Sequence, residues 1–287
     1  MYDKVINSLY SVLENLLNIK LNRWVEQCSG GEKNGWSFLI STDAQNKEML
    51  KQCIKSIQDD LQEKCEYEII LIGNISKECL KLDNPKIKVI RYRDVNLPKA
   101  RGWITKKKNI AVKASQYDKI VLLHDYIKID EGWYEGYEKF GNDFDVSCNK
   151  IKLLDGRRAN DWVCWESAKY GLTQCCLPYD IILAGDQYVP GNYIVCKRSF
   201  FLQHPLDERL KWGEGEDVVW SKEIQKYTTI KFNKYSSVSF LKAKAENWPP
   251  YCESWLNMSV KATTLFESTC GMDDIIQASK SGKRLRG

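Results

Sequence analysis

Apolar positions along the chain follow two patterns, one with the period of a helix and one of short continuous runs. Over residues 4–27 apolar side chains recur every three or four positions, which predicts an amphipathic helix. We expect residues 1–30 to form an N-terminal appendage packed against a main domain; a membrane or oligomer role is the alternative. Residues 28–35, CSGGEKNG, read as a glycine-rich linker.

From residue 36 onward, short apolar runs alternate with helical patterns. The runs WSFLIST, YEIILIG, NPKIKVIRYR and YDKIVLLHDY predict strands, and NKEMLKQCIKSIQDDLQ and ITKKKNIAVKAS predict helices between them. This alternation predicts an α/β fold with a mostly parallel sheet and helices on both faces. Ligands of such sheets bind beyond the carboxyl ends of the strands. The first candidates are therefore the residues that follow the strands: Ser41, Thr42, Asp43, Gly73, Asn74, His124, Asp125 and Tyr126.

The second half of the chain is less regular. GNYIVCKRSFF predicts a further strand, and TTIKFNKYSSVSFLKAK predicts several short ones. We expect the main domain to span residues 36–245. A helical extension and a basic tail are expected over residues 246–287.

Charge and composition limit the partners. The net charge of +5 is spread along 287 residues, which disfavours nucleic acid but suits a phosphorylated small molecule or weak contact with an anionic membrane. No apolar run approaches a membrane span and no secretory pattern is seen, so we expect a soluble, cytoplasmic protein, with a peripheral position at the inner membrane face as the alternative. The 11 cysteines include no C-x-x-C pair, which agrees with reduced thiols in that compartment.

The strand IVLLHDY delivers three polar side chains to the expected ligand edge. Asp125 could bind a divalent cation that bridges two phosphates, because hard cations prefer oxygen ligands. His124 or Tyr126 could add a ligand or a hydrogen bond. The alternative is that polar residues merely end a strand at a turn.

Lysines surround Asn109 at the start of the predicted helix ITKKKNIAVKAS. A helix N-terminus with lysines suits a diphosphate, because its N–H groups and the ammonium groups both attract anions. The alternative is a basic helix face in contact with water.

The segment KWGEGEDVVWSKEI holds Glu214, Glu216 and Asp217 between Trp212 and Trp220. One carboxylate could accept a proton from a sugar hydroxyl, while a tryptophan stacks on the apolar face of a sugar ring. The alternative is a charged helix start, favoured by the helix dipole, with the tryptophans in the core.

These segments occur in an order that resembles the inverting nucleotide-sugar glycosyltransferases of the GT-A fold, family-2-like. WSFLISTDAQNKEMLKQCIKSI resembles the first strand and helix of that family, and KIVLLHDYIKIDEGW resembles the strand with its Asp-x-Asp motif. PGNYIVCKRSFF and LKWGEGEDVVWSKEI resemble the acceptor side, and the latter is also similar to the Trp-Gly-x-Gly-Glu-Asp region of β-1,4-galactosyltransferases. The resemblance covers about residues 36–245 and implies a GT-A fold with a mixed, mostly parallel sheet.

The resemblance also implies roles for particular residues. On the donor side it places Ser41, Thr42, Asp43, Gly73 and Asn74 around the nucleotide, Lys108 with Asn109 at the phosphates, and Gly191 and Asn192 in the sugar pocket. Asp125, with His124, would hold Mn²⁺ or Mg²⁺ at the diphosphate. Asp217 would be the catalytic base with Glu216 beside it, and the acceptor would meet Trp212, Glu214 and Trp162.

Two departures from the family pattern affect the binding of the metal and the contact with the nucleotide base. His124 and Tyr126 stand where the two acids of the Asp-x-Asp motif are expected, and Gly73 and Asn74 replace acids after the second strand. A single carboxylate would hold a cation weakly. We therefore hypothesise that Lys242 and Lys244, which follow SSVSFL, partly replace the cation.

The expected activity is transfer of a sugar from a nucleotide-diphosphate donor to a hydroxyl of a glycan or lipid-linked acceptor, with inversion. An inactive carbohydrate- or nucleotide-sugar-binding relative is the alternative. A sugar-phosphate nucleotidyltransferase ranks lower, because ISTDAQNKE has no glycine in the loop after the first strand.

Overall fold

The computed structural model describes residues 2–28, 31–75, 83–95, 102–165, 175–179 and 185–244. The chain forms two compact units. Unit 1 comprises Met1–Asp125 and Val195–Glu216, and unit 2 comprises Tyr126–Ile194 and Asp217–Gly287. The extension and basic tail predicted over residues 246–287 lie outside the described residues.

Unit 1 is built on four parallel strands in the order β3-β2-β1-β4. Its elements are α1 (Tyr2–Leu17), α2 (Ile19–Glu26), β1 (Lys33–Ser41), α3 (Lys47–Leu61), β2 (Tyr67–Gly73), β3 (Ile87–Arg91), α4 (Ile104–Ala114), β4 (Tyr117–His124) and α6 (Arg198–Gln203). The runs that predicted β1, β2 and β4 are almost completely buried, as expected for strands covered on both faces. The parallel α/β arrangement predicted for this part of the chain is confirmed.

The N-terminal helical pattern corresponds to two helices, not one. They are separated at Asn18, whose side chain hydrogen-bonds to the backbone N–H and C=O of Arg93. The buried side of the pair carries polar residues such as Glu14 beside Val25, whereas seven other large apolar residues are exposed. Apolar periodicity thus indicated helical structure, but neither the break at Asn18 nor the side that packs on the protein.

Unit 2 combines parallel and antiparallel strands. Its elements are β5 (Ile127–Ile129), α5 (Trp133–Phe140), β6 (Val146–Lys152), β7 (Val163–Cys164), β8 (Cys175–Cys176), β9 (Gln187–Tyr188), β11 (Lys231–Phe240) and, after its first residue, α7 (Glu216–Ile224). Strand β11 is parallel to β6 and antiparallel to β5, while β8-β7-β9 form a small antiparallel sheet. The fold is therefore the mixed, mostly parallel one that was predicted.

Two strand predictions in the second half need correction. GNYIVCKRSFF forms strand β10 only over Tyr193–Lys197 and then turns into helix α6, because apolar residues alone do not separate a strand from a short helix. The residues expected to form several short strands make one strand, β11, with a register shift between Asn233 and Ser237. No helix in the described ranges is long and apolar enough to cross a bilayer.

Candidate functional site

The carboxyl ends of β1 and β4 bring four predicted residues together in unit 1. Ser41 is the register partner of His124 in the parallel pair. One residue further on, Thr42 Oγ1 donates a hydrogen bond of 2.5 Å to Asp125 Oδ2 and accepts one of 2.9 Å from Ala44 N. The hydroxyl thus orients the Asp125 carboxylate at the edge where ligands of parallel sheets bind.

Gly73 ends strand β2 against the same edge. A Cβ atom at this position would lie 1.7 Å from the carbonyl oxygen of Thr42, so no side chain fits without displacing the backbone. Asn74 and Asp43 follow their strands as exposed residues, and Asp43 Oδ1 accepts a hydrogen bond from Gln45 N. Glycine at position 73 therefore permits the close approach of β1 and β2 at this edge.

Lys108 and Asn109 lie in the interior of unit 1, not on a surface facing phosphates. Lys108 is 1 % exposed. The Asn109 amide donates to Leu206 O and accepts from Leu206 N, at 2.9 and 3.1 Å. Burial explains the difference from the expectation: this side of helix α4 packs inward, and Asn109 anchors the chain segment after helix α6.

The segment 206–214 is fastened to the start of α4. Trp103 Nε1 donates to Glu208 O, Thr105 Oγ1 to Leu210 O, and Trp212 N to Gly102 O, at 2.7, 2.8 and 3.0 Å. The indole of Trp212 itself remains 63 % exposed. These contacts present Trp212 at the surface of unit 1, as an acceptor-binding side chain requires.

Lys211 is a buried cation that the sequence did not single out. It is 5 % exposed, and its Nζ lies 3.1 Å from the centre of the Trp103 ring. Burial, reinforced by the charge of Lys106, lowers the pKa of Lys211 to about 8 even though Glu14 opposes the shift. Its backbone N–H donates to Glu214 Oε2 at 2.8 Å, so Glu214 is tied to the same turn.

In unit 2 the Asp217 carboxylate is held by the turn before β10. Gly191 N donates to Asp217 Oδ2 at 2.7 Å, and Val218 N donates to Oδ1 at 2.9 Å. The residue before it, Glu216, is buried at the start of helix α7. The structure therefore brings Asp217 and Gly191 together, two residues that the sequence analysis had assigned to one site.

This contact belongs to a regular set along helix α7. Ser221 Oγ accepts from Val189 N at 2.9 Å, and Gln225 accepts from Gly185 N and donates to Gln187 O, at 2.9 and 2.7 Å. Four residues of helix rise about 6 Å, and two residues of extended chain span about 6.6 Å. Helix positions four apart therefore match alternate residues of the segment 185–191. The sequence analysis missed Ser221 and Gln225, although their positions four and eight residues after Asp217 were a visible signal.

The side-chain carbonyl oxygen of Asn192, next to Gly191, is shielded from solvent. Its Oδ1 is buried and has no hydrogen-bond partner within the described ranges. A buried carbonyl oxygen without a donor costs free energy, so this atom is suited to accept a hydrogen bond from a ligand.

Trp162 does not lie at a surface. It is 1 % exposed, and its ring packs against Phe232 with centroids 5.3 Å apart. The expected contact with an acceptor is corrected accordingly: this tryptophan is part of the core of unit 2. Trp220, at 3 % exposure, is buried as well.

Two lysines share the ring of Tyr126, the residue after Asp125. Lys242 Nζ lies 3.7 Å and Lys244 Nζ 5.0 Å from the ring centre. Burial and the neighbouring charge of Lys242 lower the pKa of Lys244. Lys244 also lines a cavity of about 300 Å³ with Leu153, Leu154, Asp155, Arg157 and Ala243. Two ammonium groups held this close create a local attraction for anions.

The metal site expected at His124 and Asp125 is not supported by a full set of ligands. Across the described ranges, no three His, Cys, Asp or Glu side chains come close enough to hold a metal ion. The oxygen of Asp125 also accepts from Thr42. The described residues thus do not fit a tightly bound divalent cation.

The chain shares its fold with a solved structure, although its sequence matches no protein-family profile and no curated protein. GalNAc-T7, solved with UDP, GalNAc and Mn²⁺, superposes with a TM-score of 0.57 at 19 % identity. The match covers 75 % of this chain but only 45 % of that one. S. aureus TarS residues 1–349, solved with UDP-GlcNAc, gives a TM-score of 0.48 at 14 % identity, over 82 % of this chain and 67 % of that one. The likeness to GalNAc-T7 confirms the predicted GT-A fold.

Proposed function

We propose that this protein is an inverting glycosyltransferase that moves a sugar from a nucleotide-diphosphate donor to a hydroxyl group. The observation that carries the proposal is the orientation of Asp217 by Gly191, next to the shielded oxygen of Asn192. The GT-A fold shared with GalNAc-T7, a protein solved with UDP and GalNAc, supports a nucleotide-sugar donor.

In this proposal Asp217 is the general base. Its carboxylate takes the proton of the acceptor hydroxyl while the hydroxyl oxygen bonds to the anomeric carbon. The bond from that carbon to the diphosphate oxygen breaks with its electron pair on the diphosphate. Attack comes from the face opposite the leaving group, so the configuration inverts. The hydrogen bond from Gly191 supports this role, because it fixes one carboxylate oxygen before substrate binds.

We assign the nucleotide of the donor to the strand ends of unit 1. Thr42 and Asp125 form a preorganised polar pair there, and Gly73 permits the close approach of β1 and β2 beside it. Asn192 Oδ1 would accept from a hydroxyl of the sugar. Lys108 and Asn109 have no direct contact with phosphates in this proposal, since both are buried.

Positive charge for the departing diphosphate would come from Lys242 and Lys244. Their shared position on Tyr126 supports this role. Mn²⁺ was present in the GalNAc-T7 structure, so a weakly bound cation is the competing account. Turnover in EDTA separates the two.

The acceptor is proposed to be a glycan or a lipid-linked saccharide. The exposed indole of Trp212 offers a stacking surface for a sugar ring, and Glu214 lies in the same turn as a hydrogen-bonding group. Trp162 has no part in this contact.

A catalytically inactive nucleotide-sugar binder is the second candidate, favoured by the loss of both acids from the Asp-x-Asp motif. Thermal shifts with UDP, GDP and their sugars identify the nucleotide, and chromatography of the same mixtures detects released nucleoside diphosphate. Release from one donor supports the transferase; a thermal shift without release supports the binder. No response to any nucleotide contradicts both.

A further inference from the structure

Helices α1 and α2 pack on the rest of unit 1 through their polar side. Glu14, which is 3 % exposed, accepts hydrogen bonds of 3.1 Å from both Tyr92 Oη and Val95 N. Asn18 makes two hydrogen bonds with the backbone of Arg93, and Lys106 donates to Asn15. These contacts are directional and fix which side of the helices faces the protein.

The opposite side of the helices is apolar and exposed. Seven large apolar side chains are each between 44 % and 61 % exposed: Leu9, Val12, Leu13, Leu16, Leu17, Ile19 and Trp24. The spacing of three and four residues places the five of them in α1 on one stripe, and Ile19 and Trp24 are exposed apolar residues of α2. An apolar stripe turned away from the protein that carries it indicates a contact surface.

The exposed charged residues of α2 are mostly basic. Lys20 and Arg23 are exposed, and Glu26 is an exposed carboxylate at the end of the same helix. Glu14, an acid of α1, is buried on the opposite side. The exposed side of α2 therefore carries two cations and one carboxylate beside its apolar side chains.

We propose that this stripe, defined by Leu9, Leu13, Leu16, Lys20 and Trp24, binds an anionic lipid surface with α1 and α2 lying in the plane of the interface. The apolar side chains enter the acyl region, Trp24 lies at the headgroup level, and the two cations attract anionic headgroups. The 16 residues of α1 are fewer than the roughly 20 that a span requires. A second copy of the chain fits less well, because two such stripes facing each other would bury Lys20 and Arg23 of both copies with only Glu26 of each to pair them.

The test is flotation of the full chain with vesicles of phosphatidylcholine alone and of equimolar phosphatidylcholine and phosphatidylglycerol. The wild type is expected to float with the anionic vesicles, and salt weakens this binding. The double variant L13E/L16E is expected to lose about tenfold or more of the bound fraction. The charge reversal K20E/R23E is expected to lose the preference for phosphatidylglycerol.

A matched control places the same change on exposed apolar residues elsewhere. L202E/Y227E replaces side chains that are 38 % and 60 % exposed and lie outside α1 and α2, and it is expected to float like the wild type. Circular dichroism confirms that each variant is folded. The proposal is overturned if the wild type stays unbound with both vesicles, or if L13E/L16E floats like the control. It is also overturned if light scattering finds a lipid-free dimer that L13E/L16E dissociates, since the occupant is then a second copy.

Discussion

The Asp217 carboxylate accepts, through Oδ2, a hydrogen bond of 2.7 Å from the backbone N–H of Gly191. The next two contacts along α7, made by Ser221 and Gln225, hold the same segment of chain. Asp217 thus has two roles: it is the first of three side chains that hold this segment, and it is the catalytic base in our proposal. Ser221 has only the structural role, so a substitution of Ser221 tests that role by itself.

Ser221→Ala should lower the stability of the fold but leave the rate of the reaction nearly unchanged. The serine is fully buried, and its loss leaves Val189 N without its acceptor, which costs about 1–3 kcal/mol in the free energy of unfolding. Release of nucleoside diphosphate at saturating donor should stay within a few-fold of the wild type. Urea unfolding and the release assay check the two parts. If Ser221→Ala lost as much turnover as an Asp217 variant, Asp217 would be a positioning residue like Ser221 and Gln225, and not the base.

Gly73→Ala is predicted to destabilise unit 1 by about 3 kcal/mol or more, since the added methyl group would overlap the carbonyl oxygen of Thr42 at 1.7 Å. Gly102→Ala is the matched control, because a Cβ there meets open space. Thermal or urea unfolding compares them. Equal stability of the two variants would show that β1 and β2 do not approach as described.

Thr42→Val should remove the donor that orients Asp125. The valine fills the same volume but leaves Asp125 Oδ2 without this hydrogen bond, so we expect about 1–3 kcal/mol of lost stability and weaker binding of the nucleotide. Thr42→Ser keeps the hydroxyl and should behave like the wild type. Calorimetric titration with the nucleotide found by thermal shift measures the binding, and identical affinity of the valine variant would remove this pair from the donor site.

Much of unit 1 follows from its sequence, and the reason is visible in single strands. YEIILIG coincides with β2 because a fully buried parallel strand is a continuous apolar run. Thr42 and Asp125 could be predicted as neighbours because adjacent parallel strands end at the same edge. The contact between Gly191 and Asp217 has no such rule behind it, because Gly191 lies in a turn and not at the end of a parallel strand.

Polar residues that are buried account for the features of the structure that could not be predicted from the sequence. The family resemblance and the attraction of lysines for anions assign Lys108 and Asn109 to phosphates, yet here both residues lie inside. Asn109 hydrogen-bonds to Leu206, which is 97 residues away, and no local sequence pattern indicates this contact. The same holds for Glu14, whose buried contacts turn the apolar side of α1 outward.

Lys211 gives a pH dependence with a defined sign. Its pKa is about 8 in the fold against 10.5 ordinarily, so between these values the unfolded chain holds a proton that the folded chain has lost. Stability should therefore rise with pH in this window. Below pH 8 the buried charge costs about 1–3 kcal/mol, and Lys211→Met should be more stable than the wild type there. Its advantage should shrink as the pH approaches 10.5. Urea unfolding at both ends checks this, with Lys47→Met as the exposed control; a constant difference would contradict it.

The paired lysines on Tyr126 should contribute to binding of the diphosphate. K242Q/K244Q is expected to weaken nucleotide binding by about tenfold, and the effect should diminish in high salt. K139Q/K234Q is the matched control, because these lysines share the ring of Tyr235 at 4.3 and 5.4 Å. Wild-type turnover should persist in EDTA. Complete loss in EDTA with recovery on adding Mn²⁺ would assign the positive charge to a cation.

The most direct test of the central claim is the release of nucleoside diphosphate from a panel of nucleotide sugars by the wild type and by Asp217→Asn. Asparagine keeps one acceptor oxygen but cannot take a proton from a hydroxyl. The account predicts that the wild type consumes one donor, while the variant loses about a hundredfold or more in rate and still gives the thermal shift with the nucleotide. Turnover of the variant at the wild-type rate would contradict the assignment of Asp217, and no release by the wild type from any donor would contradict the glycosyltransferase itself.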